Sequence, residues 1–403
     1  MSRIQLIIVS IIFSTATILA TPQAHAVQRA YVSALVGLDS NTSFNCDVAR
    51  PCRFFQAATS VVDPNGEVVV LDSGGYGTVT LTQSIALIAP VGVYAGITVF
   101  PGTNGVTINT PGVEATLKGI TINGMGGTDG VSFTQGAALR IQDCTISNMA
   151  SNGLNATAPG AKVHVTDTTV RKNAASGIYL QGTVAALLQG VRAESNGYGV
   201  YARSGPTVDV RGSTAADNGG GGFTVEAATA ASRMVVSNSS SVRNQTGIAM
   251  ISATGRTLTL TVVDSVIEGN GFYGISDSNS AGGSVLTVES SKIVHNGYGH
   301  ISGAGIQYGN APGGDARYAV LSKNLIADNS YFGVLLQGTS STIVLFSGNT
   351  VTQNQSGIYT LYGTGFTFPI KYSRGDNTIG FNFVSNNSSD TSSGVAMTPL
   401  GAL

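Results

Sequence analysis

Four histidines, three cysteines and twenty-one acidic residues are spread through 403 residues, and no two aspartates are adjacent anywhere in the chain. Inverting or retaining sugar hydrolysis needs two carboxylates facing one groove, so no acid and base pair can be assigned from the acids alone. Cys46 and Cys52 are spaced C-x5-C with no histidine nearby. In an oxidising compartment that spacing closes a short disulfide loop, whereas a metal site would call for further ligands. Cys144 is left as an odd thiol. A different chemistry is spelled by Tyr179 and Tyr201, Gln181 and Arg203, and then Glu226, at offsets of 22 and 23 residues. Flat rings beside an amide, a guanidinium and a carboxylate suit a sugar chain, provided that the fold stacks these offsets. A second candidate set is His300, Tyr308, Asp315 and Arg317, in the longest stretch between regular landmarks.

The fold that would stack them is written in a repeat. A glycine followed by an apolar residue recurs at Gly105, Gly130, Gly153, Gly177, Gly199, Gly222, Gly247, Gly274, Gly305, Gly333 and Gly357, at intervals of 22 to 31 residues. An asparagine precedes most of these glycines by three or four positions, among them Asn173, Asn196, Asn218, Asn244, Asn270, Asn329 and Asn354. Between these anchors lie short alternating segments bounded by Gly, Asn, Ser and Asp, with no helical periodicity, which reads as one coil of a parallel β-helix per unit.

Aligning the units on the asparagine predicts which residues face the core. Val165, Leu188, Val210, Val236, Val262, Val288, Leu321 and Phe346 form one inward column. Val170, Ala193, Ala215, Ser241, Ile267, Ile293, Ile326 and Val351 form a second, and the residue after each glycine, from Val131 to Ile358, a third. The asparagines predict an amide ladder at a tight turn, an architectural role because they recur in every coil. Cys144 falls into a column of small residues with Thr168, Ser213, Ser239, Ser265 and Ser291, which predicts a buried thiol. One residue beyond the third inward column the side chains point outward. That column runs Ser132, Asn155, Tyr179, Tyr201, Thr224, Ala249, Ser276, Gln307, Leu335 and Tyr359.

Ahead of the repeats, residues 53–62 read as a short amphipathic helix (Arg-Phe-Phe-Gln-Ala-Ala-Thr-Ser-Val-Val), followed by the strand Val68-Val69-Val70-Leu71 and the element Gly74-Gly75-Tyr76-Gly77. With these elements the chain resembles the pectate-lyase-like right-handed β-helix superfamily, in its secreted bacterial branch, over most of residues 50–385. The resemblance implies an all-β, single-stranded right-handed parallel β-helix of about 11 to 13 coils, closed at its N-terminal end by a capping helix. It also implies polysaccharide substrates, because the superfamily includes pectin-directed lyases, hydrolases and esterases beside non-catalytic surface proteins. The family's calcium and hydrolase motifs are not reproduced. Asp143, Asp167 and Asp264 share a turn column, but Gly190, Gly212 and Asn238 occupy the coils between, and Gly299-His300-Ile301 only echoes a Gly-His-Gly.

Composition narrows the class further. Charged residues are 10% of the chain and the net charge is −1, without a basic cluster beyond Arg171 and Lys172, which argues against a nucleic-acid partner. Residues 1–26 carry one charge, Arg3, an apolar run and a terminal Ala24-His25-Ala26, the pattern of a secretory signal peptide cleaved before Val27. The expected organisation is a signal peptide over 1–26, an N-terminal cap over 27–66, the β-helix over 67–385 and a tail over 386–403. The expected protein is secreted or periplasmic, has no cofactor and no membrane segment after cleavage, and binds or processes a polysaccharide. The competing reading is a structural or adhesive surface rod.

Overall fold

The computed structural model describes residues 27–277, 282–309, 315–337, 341–361, 369–384 and 398–399. Segment 1–26, expected as a signal peptide, and nearly all of the expected tail 386–403 lie outside the described residues. The chain winds as a parallel β-solenoid of three sheets. Among the described residues sheet A has fifteen strands, from Arg29–Val32 to Thr398–Pro399; sheet B has thirteen, from Gly74–Gly75 to Thr378–Ile379; sheet C has twelve, from Val79–Leu81 to Ser356–Leu361. One coil contributes one strand to each, for example Lys162–Thr166 to A, Thr169–Arg171 to B and Ser176–Gln181 to C. Neighbouring strands of each sheet pair in parallel, so residues one coil apart sit roughly 4.8 Å from each other.

The alternation read from the sequence places the core correctly. Val165, Leu188, Val210 and Val236 are in register in sheet A, Val170, Ala193, Ala215 and Ser241 in sheet B, and Ile178, Val200, Phe223 and Ile248 in sheet C. All of these are buried, and stacks of like side chains continue them in both directions. Each buried aliphatic contributes roughly 1.5–3 kcal/mol before chain entropy is subtracted.

The corners need more than apolar packing, because a chain that turns inside a solenoid strands backbone N–H groups away from water. Two ladders meet that need. Between sheets B and C, Asn173, Asn196, Asn218, Asn244, Asn270, Asn296, Asn329 and Asn354 are all buried. Asn270 shows the repeating pattern. Its Oδ1 accepts from the Asn244 backbone N–H at 2.9 Å and from Asn244 Nδ2 at 3.2 Å, while its own Nδ2 donates to the Ser241 carbonyl at 3.1 Å and to Asn296 Oδ1 at 2.9 Å. The residue before each rung has left-handed backbone, as at Asp217 (φ 55°), Arg243 (φ 52°) and His295 (φ 56°), so that the amide can turn inward. Between sheets A and B the rungs are hydroxyls and then amides. The N–H of Ser213 donates to Ser239 Oγ, that of Ser265 to Ser291 Oγ, and that of Ser291 to Asn324 Oδ1.

At the N-terminal end the helix Phe55–Thr59 lies over the first coil, with Phe55 and Ala58 buried and the Phe55 ring 5.3 Å from that of Tyr76. It is shorter than the expected 53–62. The N–H groups of Arg53 and Phe54 are both bound to Asp39 Oδ1 at 3.0 Å, which holds Phe54 extended and delays the helix start, and Pro64 follows closely on its end. The strand Arg29–Val32 pairs with Gly66–Val70, so the N-terminal segment also supplies the first strand of sheet A. Cys46 and Cys52 are joined in a disulfide and buried. No helix among the described residues is long and apolar enough to cross a membrane.

Asn270→Ala should lower stability by about 1–3 kcal/mol, because it takes the acceptor from the buried backbone N–H of Asn244 and a donor from the carbonyl of Ser241. Ala substitution at the adjacent exposed Gln245 should change the chemical-denaturation midpoint little. A ladder without energetic weight would make the two variants equal.

Candidate functional site

The first candidate set is brought together as its offsets require. Sheet C pairs Tyr179 with Tyr201, Gln181 with Arg203, and Arg203 with Glu226 on successive rungs. The Tyr179 and Tyr201 rings meet edge to face, centroids 5.7 Å apart at 79°. Tyr179 Oη donates to Gln181 Oε1 at 3.0 Å. Tyr201 Oη bonds to the Glu226 carboxylate, and Arg203 Nε lies 3.3 Å from Glu226 Oε2. Burial, reinforced by Glu226, raises the Tyr201 phenol well above its ordinary range, so its hydroxyl stays protonated and donates. Glu226 therefore receives a hydroxyl and faces a guanidinium.

A third ring completes this surface. Tyr198 stands 5.0 Å from Tyr201 at 33°, and the three tyrosines with Asn152, Ala174, Ala175, Ser176 and Gly197 line a groove of about 290 Å³ at the corner between sheets B and C. Sequence alignment on the residues after each glycine misses Tyr198, because it lies just before Gly199. The signal was present: Tyr198, Tyr273 and Phe332 all occupy the position preceding a repeat glycine. The last of these stacks on Tyr359, centroids 4.8 Å apart at 24°, so aromatic pairs recur farther along the same sheet.

The outward column as a whole is less open than its alternation implies. Its direction is right, but Ser132, Thr224, Ser276, Gln307 and Leu335 are buried. The glycine run 219–222 closes on Thr224, since a Cβ at Gly221 would meet Thr224 Oγ1 at 2.1 Å. Ser276 Oγ donates to Gln307 Oε1 at 2.8 Å, and Gln307 Nε2 donates to Gln337 Oε1 at 3.0 Å, a chain of polar side chains satisfied among themselves.

The second candidate set disperses. Tyr308 and Arg317, expected in loops, occupy strands and point into the solenoid. Tyr308 ends the five-residue strand Ala304–Tyr308 and Arg317 opens the six-residue strand Arg317–Ser322, which carries both into the inward alternation. Arg317 lies 3.6 Å from the buried Asp277 and donates to the Gly282 carbonyl at 3.2 Å. Ser284 Oγ donates to Asp277 Oδ2 at 2.7 Å, and the Tyr308 hydroxyl lies 2.9 Å from the Tyr318 carbonyl. Asp315 is exposed and accepts from the Gly255 N–H at 2.7 Å. His300 sits apart at the B–C corner, its ring 4.9 Å from that of Phe272 and its Nδ1 occupied by Ser302.

The remaining carboxylate beside the tyrosine groove is Asp129, whose oxygens accept from Asn152 at 2.9 Å and from Asn155 at 2.9 Å. Four rungs separate it from the coil of Glu226, at least ~19 Å along the rod. Sugar hydrolysis asks for two carboxyl groups at roughly 5–9.5 Å, so these two do not form that pair. Among the described residues no group of three His, Cys, Asp or Glu side chains gathers as a metal site. A wider groove of about 690 Å³ opens at the other edge of sheet C, lined by Pro111, Glu114, Thr134, Thr157 and Lys162 among others, without an aromatic floor.

This geometry is that of a solenoid presenting one sheet as a shelf. The sequence matches the family of the right-handed β-helix region over residues 104–261 and 157–314, and the chain belongs to that family. Its right hand thereby joins the parallel pairing seen in the sheets. Among solved structures it is similar to a pectate lyase, Pel9A, at 18% identity and TM-score 0.48, over 73% of this chain and 75% of that one. It is similar also to the A-module of the mannuronan C-5 epimerase AlgE6 of Azotobacter vinelandii, at 14% identity and TM-score 0.47, over 78% of this chain and 90% of that one. A rhamnogalacturonan lyase aligns at 14% identity and TM-score 0.38, over 93% and 90% of the two chains. No curated protein sequence matches the chain.

Cys144 lies buried in the hydroxyl ladder, where its N–H donates to Thr168 Oγ1 at 3.3 Å. Desolvation pushes its thiol up to about 11. The folded protein should therefore resist alkylation at pH 8 and take up one label only after denaturation, as intact-mass spectrometry would show. Rapid labelling of the native chain would mean that this rung opens.

Proposed function

We propose that this chain is an exported protein that binds a polysaccharide along the outer face of sheet C, with Tyr179, Tyr198 and Tyr201 as stacking platforms. The observation that carries the reading is the groove of about 290 Å³ in which three rings from two adjacent coils meet beside Gln181, Arg203 and Glu226. Sugar rings stack on such faces, and their hydroxyls meet the amide and the carboxylate. The Arg203 side chain is 45% exposed although it pairs with Glu226, so it retains donors for a carboxylate on the ligand. The apolar run of residues 1–26 supports export, and the buried Cys46–Cys52 disulfide is consistent with an oxidising compartment. Glu226 and Asp129 are each engaged by neighbouring side chains and stand too far apart to act as a pair, which favours binding over bond cleavage at this groove.

Replacing Tyr179 and Tyr201 together by Ala should leave the fold intact, because both rings lie outside the core. Affinity for the bound glycan should fall roughly tenfold or more, at about 1 kcal/mol per ring. Arg203→Ala should weaken an acidic glycan and spare a neutral one, because only a carboxylate engages the guanidinium in a paired fork. Calorimetric titration against uronate-rich and neutral polysaccharides measures both. Unchanged affinity in the double variant would move binding off this groove, and absence of binding to every glycan by the wild type would favour a purely structural rod.

A further inference from the structure

The outer face of sheet A changes character halfway along the rod. Toward the N-terminus it is charged, carrying Lys118, Arg140, Lys162, His164, Asp209 and Arg211 at outward positions. From the strand Thr257–Val263 onward two central columns of outward positions turn to threonine and apolar residues, beside an edge column of Val263, Glu289, Ser322 and Ser347. Val285, Tyr318, Ile343 and Ile370 stack in one column, and Val320 and Leu345 in the next. None of these six is buried, and Tyr318 and Val320 are 49% and 38% exposed. Among the described residues the one outward charge on these strands is Glu289, at the edge column, where it faces Lys323. The pairing of inward Val288, Leu321 and Phe346 on the same strands shows that the core is already filled from the other side.

We propose that two copies of this chain associate through this half of sheet A, rods antiparallel. A two-fold interface must be complementary to itself, which a flat uncharged face satisfies and the charged half does not. A two-fold axis lying in the interface along the strand direction sets apolar half on apolar half and swings the charged halves to opposite ends. An axis along the rod would instead bring Arg140 and its neighbours against their own copies. Five strands at ~4.8 Å and three outward columns at ~6.6 Å, two of them apolar and one the edge column of Glu289, Ser322 and Ser347, cover about 475 Å² in projection, and side-chain relief raises the accessible area toward the ~800 Å² per partner of a standard interface. Two such sheets would pack face to face at about 10 Å. The tyrosine groove lies on sheet C and stays open, so the association stands independently of glycan binding.

Sedimentation of the purified chain at micromolar concentration tests the proposal. The wild type should show twice the single-chain mass. Val320→Lys combined with Leu345→Lys, both outside the core, should return it to the single-chain mass with unchanged circular dichroism. Leu187→Lys, in the same outward column five strands nearer the N-terminus, should leave the dimer intact. A single-chain mass for the wild type at tens of micromolar, a dimer that survives the double substitution, or equal dissociation by Leu187→Lys would each overturn it. Should the double variant fail to fold, hydroxyl-radical labelling of wild-type Tyr318 gives the same answer. It should rise on dilution, and labelling that ignores concentration would overturn the interface.

Discussion

The stacked asparagine amide at the B–C corner is the interaction on which the rest of this structure depends. Each coil turns back on itself with a left-handed residue, and the turn exposes backbone N–H groups to a dry interior. A side-chain oxygen from the next coil accepts the N–H, and its own nitrogen returns a hydrogen bond to a carbonyl one coil back, as Asn244 does to Ala215 while accepting from Asn218. The oxygen of each rung is satisfied from the neighbouring coil, along the rod. A single unit therefore has no reason to fold alone, and stability is a nearest-neighbour property. It runs on to Asn382, which accepts from Asn354, while at the other end the short helix and Tyr76 close the apolar interior.

The same ladder explains how a chain so poor in charge can build a recognition surface. By pinning the register, it sets residues 22 or 23 positions apart side by side at the strand spacing. Tyr179, Tyr201 and the Arg203–Glu226 pair become one surface because the turns between them are held to a constant shape. Sheets held in register by this stacking also present long faces. One face displays aromatic rings beside polar heads. Another is divided into a charged half and an apolar half, a division that suits contact with a copy of itself.

Polar groups inside the solenoid show the limit of a purely aliphatic description. Asp277, Ser284, Tyr308 and Arg317 share the interior of the long coils, where a charge is costly unless paired. Their mutual contacts, and the raised Tyr308 phenol produced by burial and by Asp277, mark a network that acts through packing. Residues that looked suited to surface chemistry are spent on holding these coils together.

The sequence by itself determined the repeat, the inward columns, the asparagine rungs and the pairing offsets of Tyr179, Gln181, Tyr201, Arg203 and Glu226, because a period of 22 to 31 residues and a two-residue alternation are both written in residue type. It could place His300, Tyr308, Asp315 and Arg317 only in the same stretch. Which of them face in depends on how far each strand extends, and strand length is set by pairing with neighbouring coils. Tyr198 entered the groove for a related reason, since the turn before Gly199 aims its ring at Tyr201. Burial of Thr224, Ser276 and Gln307 on an outward column likewise followed from what closes over or hydrogen-bonds to them. Local alternation assigns a side chain to a face; only the packed coils decide whether that face meets solvent.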